Sequence, residues 1–337
     1  MSHTDYASLI NTIIIKIILH TYLSYQTAYN DILNHPKKSI HIMTKNKIDE
    51  VIGMYDFNVD DAAVAKEVKE LLDAHLEENM NKEVYRTIMS GIELTTLKNT
   101  DCERSVIAMT EKVNRLEDEH PELPSFATIC VYPCFAEAVK NTLTVEGTGL
   151  TCVSGSFPSS QARLEVKVAE TSLAVADGAT DIDIVLSVGR FLDGDYESVV
   201  EEISELKEAC RDRILKVILE TGCLRNGSDI KLAAMLAMYS GADFIKTSTG
   251  KEKVSATPEA AYIMCRAIKE YFEKTGIRIG LKPAGGINTV RDAVAYYTIV
   301  KEVLGEEWLN NDYLRYGTSR LTNLIMSELL GEEVKYF

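Results

Sequence analysis

Two lysines lie inside otherwise apolar segments, Lys246 in ADFIKTSTGK and Lys282 in IGLKPAGG. A lone lysine at a strand end is usually a surface residue or the partner of an anion, because burying an unpaired ammonium group is costly. Two lysines on consecutive predicted strands, with Asp183 and Glu93 on other strands, favour a catalytic role instead. Burial and a neighbouring ammonium group both lower the pKa of an amine, and a neutral amine can attack a carbonyl carbon to form a Schiff base. A carboxylate can then move the protons of the reaction.

Three segments rich in glycine and hydroxyl residues predict a phosphate site. They are TSTGK from Thr247, PAGG from Pro283 and YGTS from Tyr316, and each lies between a predicted strand and a predicted helix. Free backbone N–H groups and the helix dipole favour an anion there. Each segment alone is as typical of an ordinary turn, since such loops need glycine, but the three together favour a small phosphorylated substrate. TSTGK is not a P-loop, because it lacks the spacing of that motif.

The sequence after Gly91 predicts the scaffold that brings these strand ends together. A β-type run is followed by a helical run again and again. The eight predicted strands are IELTTL from Ile92, ATICVYP from Ala127, LTCVSG from Leu150, DIDIVLS from Asp181, ILKVILE from Ile214, DFIKTS from Asp243, IRIGLKP from Ile277 and YLRYG from Tyr313. Near-continuous apolar strands alternating with helices predict an α/β fold, a single (β/α)8 TIM barrel, in preference to an open doubly wound sheet. Catalytic groups of such a barrel lie at the C-terminal ends of its strands.

Helix boundaries and extra segments can also be predicted. One helix should begin at Pro258 after the capping Thr257 and end at Gly276, and another should run from Ser228 to Gly241. Residues 58–90 predict an amphipathic helix packed across a barrel end, so that residues 43–90 form a helical lead-in and residues 91–337 the barrel. Residues 1–42 are Ile-rich and form an N-terminal extension, interpreted as an appendage or as sequence upstream of a start at Met43. Its apolar run is too short to span a membrane and lacks a signal-peptide cleavage site.

The composition excludes several classes of function. The chain has a net charge of −15, which repels nucleic-acid phosphate and anionic lipid, so neither nucleic acid nor membrane is an expected partner. Its seven cysteines are odd in number and contain no C-x-x-C pair, which predicts reduced thiols and a cytoplasmic protein. Four of its six histidines precede residue 42, so a histidine metal site in the barrel is not expected.

At this point the sequence resembles a known family, the deoxyribose-phosphate aldolases. FIKTSTGK, LKPAGG and DIDIV carry the resemblance, with further matches at ELTTL, ATICVYPCF, KVILETG and YGTSRL, over roughly residues 91–330. The resemblance implies a class I aldolase that reversibly cleaves 2-deoxy-D-ribose 5-phosphate to D-glyceraldehyde 3-phosphate and acetaldehyde. It also implies that no metal or organic cofactor takes part, and that the protein acts in deoxyribonucleotide and carbohydrate catabolism.

The resemblance also implies roles for individual residues. Lys246 would form the Schiff base, Lys282 would lower its pKa and assist proton relay, and Asp183 would exchange protons with a water molecule. Residues implied to hold the phosphate or the rest of the substrate are Gly250, Lys251, Gly285, Gly286, Gly317, Ser319, Thr95 and Thr249. Glu93 stands where many relatives have Asp, Arg320 replaces a serine of the phosphate loop, and Tyr336 near the C-terminus is a further relay candidate. Cys130 matches a family cysteine and is interpreted as a small buried apolar residue.

Alternatives from other classes stay open at this stage. A second Schiff-base aldolase reaction with a different donor or acceptor would use the same lysines. A phosphosugar-binding barrel without turnover would keep the loops, although the intact set of Lys246, Lys282 and Asp183 argues against it. Metal-dependent aldol cleavage is disfavoured by the scarcity of histidine. A homodimer is a further expectation, since barrel surfaces associate in several ways.

Overall fold

The computed structural model describes residues 45–337, with side chains from residue 48 onward. The described residues belong to one compact unit. The interpretations of residues 1–42 and of a start at Met43 lie outside the described residues. The first described helix, α1, is Lys45–Met54.

Eight parallel strands form the centre of the fold. Their bounds are β1 Ile92–Thr95, β2 Thr128–Val131, β3 Gly149–Val153, β4 Asp181–Val185, β5 Ile214–Ile218, β6 Phe244–Lys246, β7 Gly280–Lys282 and β8 Tyr316–Thr318. Each strand pairs with the next along the chain, and β1 also pairs with β8. Parallel bridges from Leu281 to Leu314 and from Ala284 to Gly317 connect β7 to β8 and close the ring. The predicted (β/α)8 barrel is therefore confirmed, and the open sheet is excluded.

Helices connect the strands and surround the barrel, as the alternating pattern predicts. Their bounds are α2 Asp61–His75, α3 Lys82–Ser90, α4 Glu103–Glu119, α5 Ala136–Thr142, α6 Leu164–Ala176, α7 Val188–Asp193, α8 Tyr196–Cys210, α9 Gly227–Tyr239, α10 Pro258–Thr275, α11 Val290–Leu304 and α12 Arg320–Leu330. The side chain of Thr257 accepts a hydrogen bond from the backbone N–H of Ala260 at the start of α10, and Gly276 ends that helix at φ +71°. Both ends of α10 thus agree with the capping residues in the sequence.

The lead-in differs from the single helix that the sequence predicts. It contains two helices, α2 and α3, separated by a short 3₁₀ turn at Glu77–Asn79. The side chain of Asn81 accepts hydrogen bonds from the N–H groups of Glu83 and Val84 and so begins a new helix. Asn79 is buried and donates to the Thr298 hydroxyl of α11 at 3.0 Å. These polar contacts interrupt the helical pattern, and α2 packs on α10 and α11 of the outer ring.

The interior of the barrel carries charged side chains, whereas the space between strands and helices is apolar. Glu93, Asp183, Lys216 and Lys282 are each fully buried. A sheet side chain points to the same face as the residue two positions away, so the polar positions of neighbouring strands meet inside the ring. The interior therefore supplies a set of ionisable groups that are shielded from water.

Candidate active site

Lys246 lies at the C-terminal end of β6, where its Nζ donates a hydrogen bond to Asp183 Oδ2 at 2.7 Å. Its Cα is paired in register with that of Lys282 on β7, so the two side chains enter the barrel side by side. Burial holds the pKa of Lys246 below its ordinary value, Asp183 opposes that shift, and the ammonium group of Lys282 adds to it. A larger fraction of Lys246 is consequently a free amine than of an exposed lysine.

Lys282 is the charged neighbour. Its Nζ donates to Asp183 Oδ2 at 2.6 Å and also to Glu93 Oε2. Burial alone would lower the pKa of Lys282, but Asp183 and Glu93 outweigh burial and hold that pKa above its ordinary value. The adjacent lysines of β6 and β7 are thereby driven in opposite directions, one toward the neutral amine and the other toward the ammonium ion.

The two carboxylates that accept from these lysines stay ionised. Burial would raise the pKa of Glu93, but Lys216 and Lys282 bring it to about 2. Burial opposes ionisation of Asp183 as well, and three lysines nonetheless hold its pKa well below the ordinary value. Asp183 Oδ2 is shared by the amine and the ammonium group of the two catalytic candidates, which suits it to pass a proton within the site.

Sequence reasoning missed three members of this charge network. Lys216 of β5 lies 2.7 Å from Asp181 Oδ1, 3.2 Å from Glu93 Oε1 and 3.3 Å from Asp183 Oδ1. Arg315, just before β8, lies 3.5 Å from Glu93 Oε1 and 3.8 Å from Asp181 Oδ1. A signal was present, because Asp181 and Arg315 each stand two residues before a predicted site residue and so share its inward face.

The loops after β6, β7 and β8 converge, as their composition suggests. Gly250, Gly285 and Gly286 have φ values of +76°, +75° and +76°, a conformation that favours glycine. A Cβ on Gly285 would lie 3.1 Å from the Cα of Gly250 and 2.7 Å from Ser255 Oγ. Gly317 is equally close to the second loop, since its Cβ would lie 2.8 Å from that of Ala284. Backbone groups of all three loops therefore lie together beside the lysines.

Two further residues of the predicted phosphate site lie at the edges of this region. Ser319 is exposed and precedes α12, and its side chain makes no capping hydrogen bond at that helix start. Lys251 is exposed, and its Nζ donates to the backbone carbonyl of Leu97 in the loop after β1. An anion held by these loops would meet the ammonium group of Lys251 and N–H groups at the start of α12.

Thr95 and Thr249, the predicted substrate hydroxyls, have different surroundings. Thr95 Oγ1 donates to the carbonyl of Glu93 in its own strand at 2.8 Å. Thr249 Oγ1 donates to Glu220 Oε2 at 2.5 Å, and the Thr249 N–H donates to Glu220 Oε1 at 3.1 Å. Glu220, two residues after the end of β5, thus fixes the loop that carries Thr249.

The structure places Tyr336 outside the charge network of the lysines, and the relay role of this residue stays a prediction. Its hydroxyl donates to Glu119 Oε2 at 2.6 Å, at the C-terminal end of α4. A helix that follows one strand and precedes the next ends near the face of the barrel where strands begin. Burial and that hydrogen bond raise the pKa of Tyr336 to about 12. The C-terminal segment is therefore attached to the face opposite the lysines.

One group in the barrel has the composition of a metal site. The ligand atoms of Glu93, Cys130 and Asp183 lie within 4.8 Å of one another. The carboxylate oxygens already face the buried lysines, and burial raises the pKa of the Cys130 thiol to about 11. The thiol is therefore protonated at neutral pH and behaves as the small buried residue that the sequence predicts.

A buried lysine amine beside a carboxylate, at the C-terminal end of a (β/α)8 barrel, is an arrangement that suits an aldolase. The sequence model described as DeoC/LacD family aldolase matches residues 102–305. The chain belongs to the DeoC/LacD family of aldolases and is a carbon–carbon lyase.

Individual relatives agree with this family. The chain is 40% identical over 249 residues to the deoxyribose-phosphate aldolase of Homo sapiens, covering 71% of this chain and 78% of that protein. It is 38% identical to the enzyme of the same name from Bos taurus, covering 68% and 76%. The tetrameric deoxyribose phosphate aldolase structure from Aeropyrum pernix superposes with a TM-score of 0.58 at 25% identity, covering 77% of this chain and 97% of that chain.

None of the helices of residues 45–337 combines the length and the apolar character needed to cross a bilayer.

Proposed function

We propose that this aldolase is a deoxyribose-phosphate aldolase, which reversibly cleaves 2-deoxy-D-ribose 5-phosphate to D-glyceraldehyde 3-phosphate and acetaldehyde. The observation that carries the proposal is the pairing of Lys246 with Asp183 at 2.7 Å inside the barrel, next to the protonated Lys282. The human and bovine relatives carry the name of this activity. The converging loops after β6, β7 and β8 support a phosphorylated substrate.

The first half of the reaction forms the Schiff base. The Lys246 amine attacks C1 of the open-chain sugar, and the carbinolamine loses water with protons moved by Asp183 and Lys282. The product is an iminium ion between C1 and the lysine nitrogen. Because Lys246 has a lowered pKa, the attack does not require strongly alkaline solution.

The second half cleaves the carbon–carbon bond. A base removes the C3 hydroxyl proton, the C2–C3 bond breaks, and its electron pair passes into the iminium system to give an enamine. C3 becomes the aldehyde carbon of D-glyceraldehyde 3-phosphate. Protonation of C2 and hydrolysis of the resulting iminium ion release acetaldehyde and restore the amine. Asp183, acting through a water molecule, serves as base and then as acid, and Glu93 keeps Lys282 charged throughout.

The substrate is held by its phosphate. The backbone N–H groups of Gly285, Gly286 and Ser319 and the side chain of Lys251 are the proposed donors, with Gly250 and Gly317 allowing close approach. Thr95 at the end of β1 and Thr249 in the loop after β6 are proposed to contact the sugar. Since the whole chain has a charge of −15, these few groups must supply the attraction locally.

Trapping with borohydride tests the proposal. Reduction in the presence of 2-deoxy-D-ribose 5-phosphate should leave one stable adduct on the peptide that contains Lys246, and Lys246→Met should abolish both the adduct and acetaldehyde release. Lys269→Met, on the exposed side of α10, is the matched control and should keep both. Full activity in Lys246→Met would refute the mechanism, and sugar binding without acetaldehyde release would identify a binding protein.

We further propose a cytoplasmic homodimer in deoxyribonucleotide catabolism. The seven reduced cysteines suit a reducing compartment. A row of apolar side chains on α6, spaced by three, four and three residues, faces solvent, which suits burial against a second copy. The row consists of Val166, Ala169, Leu173 and Ala176.

A further inference from the structure

The buried charges around the two lysines have an uneven composition. The described part of the network contains three carboxylates, on Glu93, Asp181 and Asp183, and four basic groups. The basic groups are Lys216, Lys246, Lys282 and Arg315. Apart from Lys246, three cations balance three anions. The buried network is therefore neutral only when Lys246 is a free amine.

Arg315 brings to this network a guanidinium group, a side chain that stays charged in proteins. It is 6% exposed and lies toward the start of the strands, below the reacting groups. Its Nη1 faces Glu93 and Asp181, and Asp181 is two residues before Asp183 on β4. The guanidinium group thus acts on the carboxylates from the side opposite to Lys246.

The surroundings hold this guanidinium in place. Its Nε donates to the carbonyl of Asn311, and its Cζ lies 5.6 Å from the centre of the Phe244 ring. The Lys216 Nζ lies 6.0 Å from the same ring. Gly280 leaves the room for that ring, since a Cβ there would lie 2.2 Å from Phe244 Cε1. The side chain at the base of the network is therefore fixed by contacts on several sides.

We propose that Arg315 is a positioning residue that controls how much of Lys246 is a free amine, by balancing the third buried carboxylate of the network. The inference rests on the proposed function for its catalytic consequence. Without Arg315 the remaining groups would carry one excess negative charge, and a protonated Lys246 would compensate it. Without Asp181 they would carry one excess positive charge, and Lys246 would lose its proton more readily.

The other titratable groups that face Lys246 do not change this balance of buried charges. Cys130 on β2 is fully buried, and its thiol is neutral because burial raises its pKa to about 11. Glu220 after β5 is engaged by Thr249, and it is present in every variant compared below. Asp183, whose Oδ2 contacts both Lys246 and Lys282, is also retained in all of them, as is Lys282.

The test uses variants of opposite charge effect in the full-length protein. The pH dependence of Lys246 acetylation by acetic anhydride, mapped by mass spectrometry, reports the amine without any sugar chemistry, and kcat/KM for 2-deoxy-D-ribose 5-phosphate reports it during catalysis. Arg315→Met should move both curves toward higher pH by about one unit, and Asp181→Asn should move them toward lower pH by a similar amount. The double variant should return near the wild-type curves.

Two controls separate charge from packing. Arg315→Lys keeps the charge and should retain the wild-type curves, whereas Arg266→Met removes an exposed arginine of α10 and should change nothing. Unchanged acetylation curves in both single variants, or shifts in the same direction, would overturn the proposal. If Arg315→Met fails to fold, the direction of the Asp181→Asn shift decides. A missing borohydride adduct together with the expected acetylation shifts would refute the Schiff-base function and leave the charge assignment intact.

Discussion

At the scale of residues, the chemistry depends on a difference in pKa between two lysines that are similarly buried. Lys246 is paired with one carboxylate, whereas Lys282 is held between two. Burial disfavours the charge on both, so the number of nearby anions decides which lysine keeps its proton. The same side chain thus supplies a nucleophile on β6 and a permanent cation on β7.

The first prediction concerns Lys282→Leu. Removing this ammonium group takes away a charge that disfavours protonation of Lys246, so the pKa of Lys246 should rise and the acid limb of kcat/KM should move to higher pH. Turnover should also fall by roughly 10²-fold or more at every pH, since a proton-transfer group is lost. The measurement is a pH profile of acetaldehyde release. Lys269→Leu is the control, and a Lys282→Leu enzyme with wild-type turnover would contradict the assigned role.

At the scale of elements, the site depends on three loops that come from consecutive βα units. The positive φ of Gly285 and its close approach to Gly250 and Ser255 leave no room for a side chain. Gly276 at the end of α10 has nearly the same φ, but nothing lies within 4 Å of its Cβ position. A substitution at Gly276 therefore tests only the backbone conformation that favours glycine. A substitution at Gly285 tests that conformation together with the close approach of the loops.

The second prediction therefore compares Gly285→Ala with Gly276→Ala. Gly276→Ala should destabilise the protein by about 1 kcal/mol through the strained backbone, and Gly285→Ala should destabilise it further, because the added Cβ also meets Ser255 and Gly250. Only Gly285→Ala should raise KM for 2-deoxy-D-ribose 5-phosphate, by roughly tenfold if one phosphate contact is lost. KM for unphosphorylated 2-deoxy-D-ribose should change little. Equal effects on the two sugars would show that the loop does not bind the phosphate.

At the scale of the whole molecule, the buried charges link folding to pH. The pKa of Glu93 in the folded state is about 2, and that of Asp183 is well below its ordinary value, whereas both carboxyls titrate near 4 in an unfolded chain. Unfolding at acidic pH therefore takes up protons. The stabilisation from these carboxylates is present above about pH 5 and is lost as the pH falls toward 2.

The third prediction is a loss of stability in acid. The free energy of unfolding in urea should decrease between about pH 5 and pH 3, with Glu93 alone contributing on the order of 3 kcal/mol by pH 2. Glu93→Gln should show a weaker dependence over this range, while Glu332→Gln, on the exposed C-terminal segment, should follow the wild type. A wild-type stability that stays constant from pH 6 to pH 3 would contradict the buried pairing.

The fourth prediction concerns association. Val166 is 59% exposed and Leu173 38% exposed on the outer face of α6, although both are apolar. If this row contacts a second copy, the double variant Val166→Glu, Leu173→Glu should convert a dimer into a monomer, because it places like charges in an apolar contact. Light scattering after gel filtration measures the mass. A wild-type monomer would refute the dimer, and a dimeric variant would place the interface elsewhere.

Much of this arrangement is present in the sequence because its signals are local. Strand and helix periods, the capping Thr257 and the polar residues at strand ends predict the barrel and place Lys246, Lys282 and Asp183 at one end of it. What only the tertiary structure decided is which charges share contacts. Lys246 and Asp183 are 63 residues apart, and Lys282 and Glu93 are 189 apart, so closure of the barrel alone brings them together. The same closure adds Arg315 to the network, because electrostatic interactions depend on distance in space rather than along the chain.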